Sequence, residues 1–263
     1  MSKRLSLFVA FFALIFSSCE KVVDIDLDDA DPQYVIEAEV YEGVDTVEVQ
    51  IFRSTDYYGK SPQPPIDHAV VILSDETGDS TQIPAAGQGR YLLPDFTGVA
   101  GRRYDLSVTV DGKIFTARAV MQQPIQIDSV TAEFRKADFR SEGYEVAARF
   151  TDPAGVQNFY RVIYTINDTL QNEPGDLYLL NDKFTDGKVM KADLFRRFLP
   201  GDKIEFELRT MDEKVFDFFT TLNDVLNNQE GPAPSNPNTN IQGGALGYFG
   251  AFTSSRKTII VTD

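Results

Sequence analysis

The 263-residue chain holds one cysteine, Cys19, and one histidine, His68, so thiol and imidazole chemistry each have a single place to occur. Cys19 stands behind Lys3-Arg4, an unbroken apolar run from Leu7 to Phe16, and the small pair Ser17-Ser18. The apolar run is shorter than the roughly 20 residues that cross a bilayer. With its charged start and small-residue exit it reads as a secretory signal. A cysteine directly after small residues matches a lipobox, in which the thiol is acylated and cleavage leaves Cys19 as the new N-terminus. Phe16 stands where lipoboxes usually carry Leu. We expect residues 1–18 to be a lipoprotein signal peptide and Cys19 the lipidation site, because a lone exported thiol would otherwise be a reactive liability. Each buried CH₂ contributes about 0.8 kcal/mol and one acyl chain binds only marginally, so several chains together hold the protein firmly.

The remaining chemistry is sparse. A Ser-His-Asp triad or a multi-histidine metal site would have to be built around His68 alone, and neither a Gly-x-Ser-x-Gly elbow nor a His-Glu-x-x-His motif occurs. His68 reads as an edge residue at the entry to the apolar run Ala69–Leu73. The glycines of Gly243-Gly244-Ala245-Leu246-Gly247 lack the Gly-Lys-Ser/Thr ending of a phosphate loop. Alternating carboxylates at Asp24, Asp26, Asp28, Asp29 and Asp31 suggest calcium. An EF-hand counted from Asp24, however, needs Gly where Asp29 stands and Glu where Val35 stands. Residues 19–31 therefore read as an acidic tether extended by its own repulsion. With 40 acidic residues, glycan or peptide hydrolysis by an Asp/Glu pair stays open as the alternative function, although no pair has a distinguishing context. We expect no catalytic residue, no metal ligand set and no cofactor. For contacts with a ligand or partner the best residues are Tyr57 and Tyr58, beside Pro62, Pro64 and Pro65, because a tyrosine-rich loop offers large contact area at low entropy cost.

The elements that must position these residues are strands. Period-two alternation marks Tyr34–Tyr41, Thr46–Arg53, Ser80–Ile83, Gly89–Leu93 and Tyr104–Val110, and Ala69–Leu73 is apolar enough for a central strand. Asp111-Gly112 joins Tyr104–Val110 to Lys113–Ala117 as a hairpin turn whose central residues both need positive φ. Short strands without intervening helices predict an immunoglobulin-like or transthyretin-like antiparallel sandwich over residues 32–121. Pro124 breaks the pattern, and a second, mostly β domain is expected over residues 122–263. Its strands are Tyr144–Phe150, Phe159–Ile166, Leu177–Leu180, Phe184–Thr185 and Lys203–Met211, with Asn240–Phe252 filling its core. One amphipathic helix, residues 214–227, carries Val215, Phe218, Phe219, Leu222, Val225 and Leu226 at three-to-four spacing. The fold class is thus mainly all-β. A net charge of -15 and a pI near 4.5 argue against a nucleic-acid surface.

The Cys19 lipobox, the Asp111-Gly112-Lys113 hairpin, the segment Pro124-Ile125-Gln126-Ile127-Asp128-Ser129-Val130, and the Pro-rich loop from Gly231 to Pro237 with the glycine-aromatic strand after it together resemble the domain-of-unknown-function family 4249. That resemblance implies a lipoprotein of Gram-negative bacteria, held at the outer membrane on its cell-surface or periplasmic face, and often encoded beside TonB-dependent receptors. It implies no catalytic residue, since the family has no established activity. The expected function is that of a non-enzymatic accessory or ligand-capturing partner of a TonB-dependent transporter.

Overall fold

A computed structural model describes residues 32–55, 63–137, 140–227 and 236–263. Cys19, the acidic tether, Tyr57 and Tyr58 lie outside the described residues. The first half supplies eight strands: β1 (Tyr34–Tyr41), β2 (Thr46–Arg53), β3 (Val70–Asp75), β4 (Ser80–Ile83), β5 (Ala85–Gly87), β6 (Arg90–Pro94), β7 (Arg103–Val110) and β8 (Lys113–Val120). Alternation puts Ile36, Ala38 and Val40 of β1 and Val47, Val49 and Ile51 of β2 on one face, where they are buried. Asp111 and Gly112 between β7 and β8 both have positive φ, 49° and 75°, as the hairpin requires.

The second half supplies β9 (Ile127–Arg135), β10 (Gly143–Thr151), β11 (Phe159–Ile166), β12 (Thr169–Leu170), β13 (Tyr178–Asn181), β14 (Val189–Phe198), β15 (Lys203–Met211), the helix α1 (Glu213–Asn227), β16 (Ile241–Gln242) and β17 (Leu246–Ile260). Among the described residues, a nine-stranded sheet runs β12-β11-β15-β17-β1-β2-β6-β5, with β13 also on β11. One half of one face is covered by the five-stranded sheet β16-β8-β7-β3-β4, closing the first core. The other half is covered by the three-stranded sheet β14-β10-β9, closing the second. Among the described residues the chain is therefore mainly β, with two sandwiches and one α-helix, and Pro32–Asp263 forms one compact unit.

The long strand β17 ties the sandwiches together. Leu246 to Phe252 pair in parallel with β1, and Thr253 to Ile260 pair antiparallel with β15. A parallel pair needs a crossover between its strands, and the whole intervening chain supplies it here. The segment Asn240–Phe252 does not fill the second core as its sequence suggests. Ile241, Ala245, Phe249 and Ala251 fill the first, while Tyr248 and Phe252 point to the opposite face and pack under α1. Gly247 makes the close approach to β1 feasible: a Cβ there would stand 2.1 Å from the Ile36 carbonyl oxygen.

Three further expectations are corrected. Val70 and Ile72 of the apolar run are exposed, because the five-stranded sheet has only one covered face. Phe184 and Thr185 lie in a turn. Val189–Phe198, unassigned from sequence, is an edge strand whose Met190, Ala192 and Leu194 face the second core, while the exposed Phe195 and the pair Arg196-Arg197 mask its alternation.

Candidate functional site

Position in the pleat decides what lies on the uncovered face of the nine-stranded sheet. Residues of β11, β15 and β17 that alternate with the second core are Arg161; Glu205, Glu207 and Arg209; and Arg256. The cross-strand pairings set Arg161 against Arg209 and Glu207 against Arg256. β1 adds Glu39 and Tyr41 to the same face, and β17 adds Tyr248. The apolar stripe of α1 lies over the neighbouring patch, packing Val215, Phe218 and Phe219 on Phe159, Met211, Tyr248 and Phe252. Asp212 fixes where the helix starts. Its Oδ1 accepts the Val215 amide at 3.0 Å and its Oδ2 accepts the Val120 amide at 2.9 Å, so one carboxylate caps α1 and pins it to the end of β8. Burial pushes the Asp212 carboxyl up, outweighing the amides that hold it down.

The polar groups form one continuous chain. The Tyr248 hydroxyl donates to Glu39 Oε1 at 2.6 Å and the Tyr41 hydroxyl to Glu39 Oε2 at 2.9 Å. Arg209 Nη1 donates to the Tyr41 oxygen at 2.7 Å, and its Nε donates to Glu207 Oε1. Arg256 donates from Nε at 3.1 Å and from Nη2 at 2.8 Å to Glu207 Oε2. Burial, then Glu39, raises the Tyr41 and Tyr248 hydroxyls well above the ordinary tyrosine value, so both stay protonated donors. Glu207 is buried with both oxygens committed to guanidiniums.

Beside this chain a cavity of about 600 Å³ opens between the sheet and α1, lined by Arg161, Arg209, Glu207, Arg256, Phe219, Leu222 and the segment from Leu170 to Leu177. Arg161 differs from its neighbours. Its guanidinium carbon lies 4.6 Å from the centre of the Phe219 ring, and among the described residues it has no ion-pair partner. Burial, then Arg209, holds its pKa below the ordinary arginine value. Two carboxylate oxygens already satisfy Arg209 and Arg256, so Arg161 is the cation left to meet an incoming anion. Its planar fork suits a carboxylate or phosphate, and the wall of Phe219 and Leu222 suits an apolar body attached to it.

Of the residues singled out from sequence, His68 is exposed and its Nε2 lies 2.9 Å from Asp111 Oδ1, while Asp111 Oδ2 accepts the Tyr34 hydroxyl. It braces the β7–β8 turn and does not line the cavity. For Tyr57 and Tyr58 only the stem of their loop is described, where the Arg53 amide donates to the Pro64 oxygen at 2.9 Å. Arg161, Glu207 and Arg209 escaped the sequence reading because outward charges on a strand look like a solvated face. The available signal was the position of Glu207 and Arg209 just before an amphipathic helix that must cover something.

No curated protein matches this chain. Among solved structures it is similar to the chicken CNTN1 FN1-FN3 domains at 10% identity and a TM-score of 0.28, over 69% of this chain and 61% of that one, less than two thirds of its length. The model of the family described as Domain of unknown function (DUF4249) matches residues 20–258, and the chain belongs to that family.

Proposed function

We propose that this chain is a non-enzymatic, lipid-anchored protein of the Gram-negative outer membrane that captures an anionic ligand as the accessory partner of a TonB-dependent transporter. The observation that carries the reading is the order of Lys3-Arg4, the Leu7–Phe16 run, Ser17-Ser18 and the sole cysteine, Cys19. The likeness to a family often encoded beside TonB-dependent receptors supports the partner. The cavity supports capture over hydrolysis. Its most buried carboxylate, Glu207, is occupied by Arg209 and Arg256, and the group without an ion-pair partner among the described residues is a cation, Arg161.

Two measurements test this. Cys19→Ala should leave the membrane fraction, or stay unprocessed, and lose palmitate labelling. Persistent labelling would refute the anchor. Affinity purification of the tagged protein from mild detergent, read by mass spectrometry, should recover a TonB-dependent receptor, and its absence would refute the partnership. Turnover of a glycan or peptide that is lost on Glu205→Gln or Glu173→Gln would instead establish the hydrolase.

A further inference from the structure

At one end of the second sandwich, two loops bring three carboxylates together. Asp152 follows β10, and Asp182 and Asp186 lie in the loop between β13 and β14. Each places an oxygen within 4.8 Å of the other two. Asp152 and Asp182 are buried, 1% and 2% exposed, yet among the described residues none of the three has an ion-pair partner. The lysines that flank the second loop do not compensate: Lys183 Nζ lies over the Phe184 ring instead. The neighbouring donors are neutral. Tyr160 donates its hydroxyl to Asp152, the Gly187 amide donates to Asp152 at 3.0 Å, the Asn158 amide to Asp182 at 2.9 Å and the Gly155 amide to Asp186 at 2.7 Å. They account for one oxygen each of Asp182 and Asp186.

A second observation is independent of the acidic residues. Asn158 is 5% exposed and its side-chain oxygen is buried without a donor, as is the Thr185 hydroxyl oxygen. Both stand at the cluster. The main-chain oxygen of Asn158 accepts the Asp182 amide at 3.3 Å while its own amide donates to Asp182 Oδ2, and the Thr185 amide donates to the Asp182 carbonyl at 2.7 Å. A buried acceptor without a donor is costly, and so is a buried carboxylate without a counter-charge. One cation satisfies both. The loops are held for it: Gly187 has φ +69°, and a Cβ there would stand 2.8 Å from the Ala154 Cβ, so this glycine lets the two loops close on one another.

We infer that Asp152, Asp182 and Asp186, with the side-chain oxygens of Asn158 and Thr185, form a calcium site. Every donor is a hard oxygen, without imidazole or thiolate, which selects calcium or magnesium over the transition metals. The mixture of carboxylate, amide and hydroxyl groups on two loops suits the large, irregular calcium shell, whereas magnesium demands a near-ideal octahedron and keeps its waters. The ion would staple the β10–β11 loop to the β13–β14 loop, independently of the Arg161 cavity.

The test uses the full lipidated chain in detergent, stripped with a chelator. Calcium chloride should raise the melting temperature by several degrees and saturate. Terbium should show luminescence sensitised by tyrosine, because Tyr160 is bonded directly to a ligand carboxylate, and calcium should quench it by competition. Asp186→Asn, at an exposed position that leaves the fold intact, should weaken calcium by about tenfold or more, since affinity follows the ligand charge count. Thr185→Val, which keeps the side-chain shape, should weaken it less. An unchanged melting temperature with no terbium signal would overturn the site. So would wild-type calcium affinity in Asp186→Asn, and an equal response to magnesium would overturn the choice of ion.

Discussion

Phe249→Ala removes a fully buried ring from the first core at the point where β17 lies beside β1. Truncating a buried Phe costs about 3 to 5 kcal/mol, transfer and cavity together. In a domain of this size each kcal/mol moves the melting temperature by about 2 to 4 °C, so a fall of roughly 6 to 20 °C is expected by scanning calorimetry. Phe249→Leu keeps most of the volume and should cost less than about 1.5 kcal/mol. The neighbouring position separates stability from the site. Tyr248 points to the other face, where its hydroxyl bonds Glu39, and Tyr248→Phe should lower the melting temperature far less because the ring under α1 remains. If Phe249→Ala melted within about 2 °C of wild type, the parallel β1–β17 pairing and the core assignment built on it would both be refuted, since no relaxed core absorbs so large a void.

Other expectations follow from the same packing. Gly247→Ala should destabilise far more than Gly112→Ala in denaturant titrations. Both have positive φ, but only at Gly247 does the new methyl meet a carbonyl at 2.1 Å, while nothing lies within 4 Å of Gly112. Residues 32–121 expressed alone should lack a cooperative melt, because Ile241, Ala245, Phe249 and Ala251 leave the first core and β1 loses a neighbour; a sharp transition would show that the β1–β2 half closes without β17. Asp212→Asn should change how stability depends on pH. A carboxyl raised by burial binds its proton more tightly folded than unfolded, so its contribution is present at low pH and is lost as pH climbs past the ordinary carboxylate value of about 4. The advantage of wild type over Asp212→Asn should therefore shrink on raising pH, and an advantage that grew would reverse the sign assigned to Asp212.

Local patterning carried much of the fold. The pleat alternation of Tyr34–Tyr41, Phe159–Ile166 and Lys203–Met211, the Asp111-Gly112 turn and the three-to-four stripe of α1 are each written within a few consecutive residues, and each forms as read. The proposed export address is of the same kind, since Lys3 to Cys19 is a contiguous signal. What tertiary structure decided is which strands meet. Nothing near Asn240–Phe252 says that one half of β17 pairs with β1 and the other with β15, because the partners lie far away in sequence and pairing depends on the joint burial of both cores. The same limit hid the chemistry. Among the described residues Arg161 has no ion-pair partner because Arg209 and Arg256 share Glu207, and Asp152 meets Asp182 and Asp186 only because two loops close on one another around Gly187. Strand identity is a property of short-range periodicity. A charge's partner, or its lack of one, is a property of three-dimensional distance, which periodicity does not encode.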